Sequence, residues 1–131
     1  MIIYIYIQCE RCQPLYNDKI YRKGDQINSY DCKSCECHGH ADSCVYDVDL
    51  DLFPNSHDLG GGGVCQGCQH YTTGQFCETC VTYYYRPKGK SKYDVDVCSK
   101  CNCLVAGVEA SNLDCAKVSK ILLYQCLLLL R

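Results

Sequence analysis

The stretch VYDVDLDLF at 45–53 alternates apolar and polar residues. Near-strict alternation predicts a short extended segment, with Asp47, Asp49 and Asp51 on one side and Tyr46, Leu50 and Leu52 on the other. Pro54 and the run GGGG at 60–63 then read as loop punctuation rather than helix. Continuous apolar runs mark the two ends. MIIYIYI at 1–7 has no basic n-region, is too short for a full h-region and lacks a small-residue cleavage site, so no ordinary signal peptide is predicted. ILLYQCLLLL at 121–130 falls well short of the roughly 20 residues a membrane helix needs, so no membrane span is expected. The pattern predicts irregular loops with a few short β-ribbons and very little helix.

Composition explains what could hold such a chain together. Among 131 residues there are fifteen cysteines, only two phenylalanines and no tryptophan. An apolar core this thin needs covalent or metal staples. Twelve tyrosines supply flat, half-polar packing surface in place of aliphatic side chains. The formal net charge of −2 argues against a general attraction to nucleic acid or to an anionic membrane.

The cysteines repeat. Cys9-x2-Cys12 followed by Cys32-x2-Cys35-x-Cys37 returns as Cys77-x2-Cys80 followed by Cys98-x2-Cys101-x-Cys103, displaced by 66 to 68 residues. CERC answers CETC, and YRKGD answers YRPKGK before the closing cysteine. One complete unit of eight cysteines lies between, Cys35, Cys37, Cys44, Cys65, Cys68, Cys77, Cys80 and Cys98. The expected organisation is the end of a preceding module at 1–34, a complete module at 35–100, and the start of a next module with an atypical apolar tail at 101–131. Only two residues separate Cys32 from Cys35, too few for a flexible tether, so the modules should form a short rod.

Spacing alone leaves two chemistries open. C-x-x-C pairs can hold zinc in an intracellular interaction module, or belong to a disulfide framework in an extracellular one. The C-x-C steps in CKSCEC and CSKCNC crowd more thiols together than a four-cysteine zinc site uses, which favours disulfides. Eight cysteines permit 105 pairings, and spacing does not choose among them.

The words CECHGHADSC (35–44), GGGVCQGCQHYTTGQFCETC (61–80) and YYYRPKG (83–89) resemble the laminin-type EGF-like module. The element from Cys68 to Cys80, with Gly74 inside it, carries the resemblance most specifically. It implies a small disulfide-rich fold of such modules in tandem, bridged Cys35–Cys44, Cys37–Cys65, Cys68–Cys77 and Cys80–Cys98. The equivalent last loop of the partial module would be closed by Cys12–Cys32. In the chain-entropy account each such bridge is worth about 3 kcal/mol. The same resemblance implies a non-catalytic structural or adhesive segment of an extracellular matrix or cell-surface protein. Its expected partners are matrix proteins of collagen or fibronectin type.

The sequence also departs from that pattern. Tyr71 stands before Thr72 where many family members have asparagine, and no N-x-S/T sequon occurs. MIIYIYIQ and the text after Cys103 lack the module's rhythm and are consistent with translated intron. Cys9 is therefore expected to be unpaired, and Cys101, Cys103, Cys115 and Cys126 lack assigned partners.

No residues form a recognisable catalytic constellation, and no cofactor is expected. Cys37 with His38 and His40 would need a free thiolate to act as a nucleophile, which a bridge removes. The histidines then read as turn residues. Asp47, Asp49 and Asp51 read as a solvated acidic face rather than calcium ligands, because alternation puts them on one side of an extended segment and no calcium-type loop follows. Arg86, Lys88, Lys90 and Lys92 alternate along a loop, and if it is extended they present one charged side of the kind a sulfated glycan would meet. An ordinary solvated loop is the simpler reading of the same residues. The long loop from Val45 to Val64 and this basic loop are the expected contact surfaces, standing away from the disulfides.

Overall fold

A computed structural model describes residues 10–101. Cys9, Cys103, Cys115 and Cys126 lie outside the described residues, and with them the expectation for Cys9. Six short strands form three separate antiparallel pairs, and no helix occurs among the described residues. No helix among them is long and apolar enough to cross a membrane.

The fold divides into two compact units, one of residues up to Glu36 with Asp42–Gly67, the other of Cys37–Ala41 with residues from Cys68 onward. In the first, β1 (Ser43–Tyr46) pairs with β2 (Gly63–Gln66), placing Cys44 opposite Cys65. Bridges Cys12–Cys32 and Cys35–Cys44 staple this unit. In the second, β3 (Thr72–Thr73) pairs with β4 (Thr79–Cys80), and β5 (Tyr84–Tyr85) with β6 (Ser99–Lys100). Bridges Cys68–Cys77 and Cys80–Cys98 staple that one. Cys37, Cys65 and Cys101 are disulfide-bonded as well.

The core is mostly sulfur. Among the described residues nine apolar ones are buried, and seven of them are cysteine, the others being Ala41 and Val97. Strands of two to four residues follow from this. Without an apolar face to bury, a ladder gains nothing by growing longer.

The alternation at 45–53 does not produce a strand of that length. β1 ends at Tyr46, and turns follow, with Leu50 N–H donating to the Asp47 carbonyl and Asp51 N–H to that of Val48, both at 3.3 Å. The cause is the aspartates themselves. The Asp47 carboxylate accepts from Asp49 N–H at 2.9 Å and Asp51 from Phe53 N–H at 2.9 Å, local bonds that compete with a ladder.

Candidate interaction surfaces

The long loop does not stand away from its surroundings. Gln13 to Asn17 form a turn, closed by Tyr16 N–H on the Gln13 carbonyl at 2.9 Å, that brings the next side chains against it. The Asn17 amide donates to the Cys44 carbonyl at 3.2 Å. The Asp18 carboxylate accepts from Gly61 N–H at 2.7 Å and Gly63 N–H at 2.9 Å, and the Asp18 carbonyl from Gly62 N–H at 3.1 Å. Three successive loop amides thus meet one residue, a charge-assisted arrangement.

Lys19 holds the other arm of the loop. Its ammonium lies 2.5 Å from Asp51 Oδ2 and 2.6 Å from the Phe53 carbonyl, with side-chain exposures of 2% for Lys19 and 0% for Asp51. Tyr46 Oη donates to the same Asp51 oxygen at 2.8 Å. Asp51 is therefore no part of a solvated acidic face; both its oxygens are occupied. The Lys19 ammonium holds its carboxyl below the ordinary 3.8, and the bond from Tyr46 raises that phenol above 10.0.

A depressed carboxylate stabilises the fold above its unfolded value and loses that effect as pH falls through its folded value. The thermal midpoint of the oxidised chain should hold down to about pH 4 and fall below it. Asp51→Asn should lower the midpoint at neutral pH and flatten that acid limb, which a pH series of melting curves checks.

The outer side of this loop is apolar. Val48, Leu50, Leu52, Phe53 and Leu59 are all exposed, Leu52 at 85%. Charged Lys19 and Asp51 face inward while leucines face water, the inverse of an ordinary loop.

In the second unit the basic loop is not extended. Lys90 N–H reaches the Pro87 carbonyl at 3.1 Å, Asp94 N–H that of Ser91 at 3.2 Å, and Val97 N–H that of Asp94 at 3.1 Å. Pro87, Gly89 at φ 89°, Ser91 and Asp94 are turn residues, and they break the alternation that would align the charges. Arg86 and Lys92 line one small cleft with Glu78. Lys90 instead pairs with Asp96 at 2.5 Å, which raises the lysine and lowers the aspartate from their ordinary values. Lys88 stays exposed at the turn. The four bases do not form one row.

The histidines are structural. His38 occupies a left-handed turn at φ 54°, its Nδ1–H donating to the Phe76 carbonyl at 2.8 Å. His40 is 1% exposed, and its Nε2 lies 2.5 Å from the Lys92 carbonyl. A carbonyl only accepts, so Nε2 carries the proton. In the neutral ring Nδ1 then accepts from His70 Nδ1–H, 2.8 Å away. His40→Ala should cost about 3 kcal/mol in thermal unfolding, the sum of a buried void and an orphaned carbonyl. Tyr71, at φ 60°, stacks on Tyr84 with ring centroids 4.2 Å apart. Asparagine tolerates that backbone region more readily, so the tyrosine is held there by its ring.

No group of three or more metal-ligating side chains occurs among the described residues. Every described cysteine is in a disulfide and carries no thiolate, so the zinc alternative has no support among them. The sequence announces neither Asp18 nor the buried pairing of Lys19 with Asp51. Their partners lie 43 and 32 positions away, and no local pattern announces them.

Residues 35–94 match the laminin EGF domain. The chain is 54% identical to mouse usherin over 108 residues and 44% identical to human usherin over 112 residues, covering 82% and 86% of this chain. It is 44% identical to the Drosophila laminin subunit alpha over 101 residues, covering 74% of this chain. These matches span about 2% of each usherin and 3% of the laminin subunit. With its cysteine sulfurs in bridges, its two short antiparallel pairs and this match, the segment 35–94 is a laminin EGF domain.

Proposed function

We propose that this chain is a non-catalytic spacing and docking segment of an extracellular matrix or cell-surface protein. The observation that carries the reading is the clamp of Asp18 and Lys19 on the long loop, which holds that loop's apolar side outward on a disulfide-stapled base. Residues 1–34 would be the end of a preceding module, 35–100 a complete one and 101–131 the start of another, together a rod. The short link between Cys32 and Cys35 supports that arrangement. Cys37–Cys65 would complete the four bridges; Cys65 Sγ lies 3.9 Å from the carbonyl of Glu36, beside Cys37.

The partners proposed are matrix proteins of collagen or fibronectin type, met on the outer side of the loop at Leu50, Leu52 and Phe53. Leu52→Ser with Phe53→Ser should weaken binding of the oxidised chain to such proteins about tenfold or more and leave the melting curve unchanged. Binding that survives both changes refutes this surface. A sulfated glycan is the proposed ligand of the basic loop. Arg86 and Lys92 share a cleft, Lys88 is free to reach out, and Lys90 contributes least because Asp96 neutralises it. Neutralising Lys88, Lys90 and Lys92 should abolish retention on heparin at low salt. An oxidised wild-type chain that is not retained refutes the glycan reading.

A further inference from the structure

The described residues contain the same local structure twice. Bridge Cys12–Cys32 answers Cys80–Cys98. Tyr16 N–H on the Gln13 carbonyl, 2.9 Å, answers Tyr84 N–H on the Val81 carbonyl, 3.0 Å. Cys35 N–H on the Leu15 carbonyl answers Cys101 N–H on the Tyr83 carbonyl, both at 2.8 Å. Cys101, disulfide-bonded and 7% exposed, thus stands where Cys35 stands at the entry to the eight-cysteine unit.

After the first copy of this turn come Asn17, Asp18 and Lys19, which hold the loop of the unit that follows. Counting on from the second copy, Tyr85, Arg86 and Pro87 occupy those places, and no acid occurs between Cys80 and Asp94. We infer that Tyr83–Pro87 is the docking surface for a further repeat entering at Cys101, and that it selects a repeat whose long loop presents acceptors, a carboxylate foremost, where Gly61 and Gly63 present N–H groups. The inference rests on the reading of residues 10–34 as the end of a preceding module.

The chemistry is one of donor and acceptor. The N–H groups of Gly61 and Gly63 only donate, and so does a guanidinium, so a loop like Val45–Val64 set against Arg86 meets donor with donor. Pro87 offers no ammonium, and a carboxylate in the place of Asp51 would be buried unpaired, a strongly unfavourable state. A loop with a carboxylate facing Arg86 reverses both signs and gains a bidentate pair. The order in which repeats follow one another is then written in the three residues after each turn, as a specificity built from mismatches as much as from matches.

The test uses the full chain with a second copy of residues 36–101 inserted after Cys101, in two forms. One keeps Tyr85, Arg86 and Pro87; the other carries Tyr85→Asn, Arg86→Asp and Pro87→Lys. Chymotrypsin cutting at Leu52 of the inserted copy, identified by fragment size after reduction, should be about tenfold slower in the second form, the effect of the regained hydrogen bonds. Conversely, Asp18→Arg in the unextended chain should speed cutting at Leu52 about tenfold. Equal cutting in both extended forms, with the bridges of the inserted copy correctly made, overturns the selection while leaving the module reading standing. An inserted copy that fails to make its own bridges overturns the module reading and the inference with it.

Discussion

Reducing the oxidised chain is expected to abolish its folded state at 25 °C, without a residual cooperative transition. The seven buried cysteines are the core, and Ala41 and Val97 are all the other buried apolar side chains among the described residues. Each bridge contributes about 3 kcal/mol by restricting the unfolded chain, and a domain of this size is stable by only about 5 to 15 kcal/mol in all. Losing several at once exceeds that margin. Strands of two residues, Thr72–Thr73 against Thr79–Cys80 for example, have no means of persisting alone. The check is thermal unfolding followed by near- and far-ultraviolet circular dichroism, with and without reductant at constant pH. A reduced, alkylated chain that still melts cooperatively would show that packing, not sulfur, holds the fold.

Gly63→Ala should lower the melting midpoint of the oxidised chain by roughly 10 °C or more, the consequence of two to three kcal/mol in a domain this small. A Cβ at Gly63 would run into Cys35 Sγ, with Asp18 Oδ1 at 2.7 Å and the Asp18 Cα at 3.0 Å. None of these can retreat cheaply. The sulfur is fixed by its bridge to Cys44, and Asp18 is the residue that gathers the loop amides. Gly62→Ala is expected to behave similarly, since its Cβ would press on the Tyr46 ring and lie 3.0 Å from the Asp47 carbonyl. Gly67→Ala is the useful contrast. Nothing lies within 4 Å of its Cβ, and only the backbone penalty of φ 62° remains, so its effect should be smaller. A Gly63→Ala midpoint equal to that of Gly67→Ala would mean that the loop has room the clamp denies it.

These glycines show how far the sequence could be read. The cysteine frame was legible because spacing is local and repeated, and the family resemblance rests on words of a few residues. The scarcity of helix and the brevity of strands followed from the missing apolar core. GGGG, by contrast, reads as punctuation in the sequence, whereas three of its members lie against Asp18 or Tyr46. That requirement depends on a residue more than forty positions earlier, and alternation or turn rules see nothing at such range. The aspartates at 47, 49 and 51 misled for a second reason. Period-two alternation predicts extended chain, yet an Asp side chain can satisfy its own backbone and prefers the turn when no neighbouring strand competes. The basic loop failed in the same way at Pro87 and Gly89. For the histidines, turn character was legible in CHGH, but the burial of His40 depends on the Lys92 carbonyl, 52 positions away.

The described cysteines, from Cys12 to Cys101, are structural, each held in a disulfide. The most direct measurement is a thiol count on the denatured, unreduced chain, with peptide mapping and metal analysis of the same sample. The expected result is no free thiol among the eleven cysteines from Cys12 to Cys101, no bound zinc, and a Cys37–Cys65 peptide beside Cys12–Cys32, Cys35–Cys44, Cys68–Cys77 and Cys80–Cys98. A folded, fully reduced chain carrying stoichiometric zinc would contradict it.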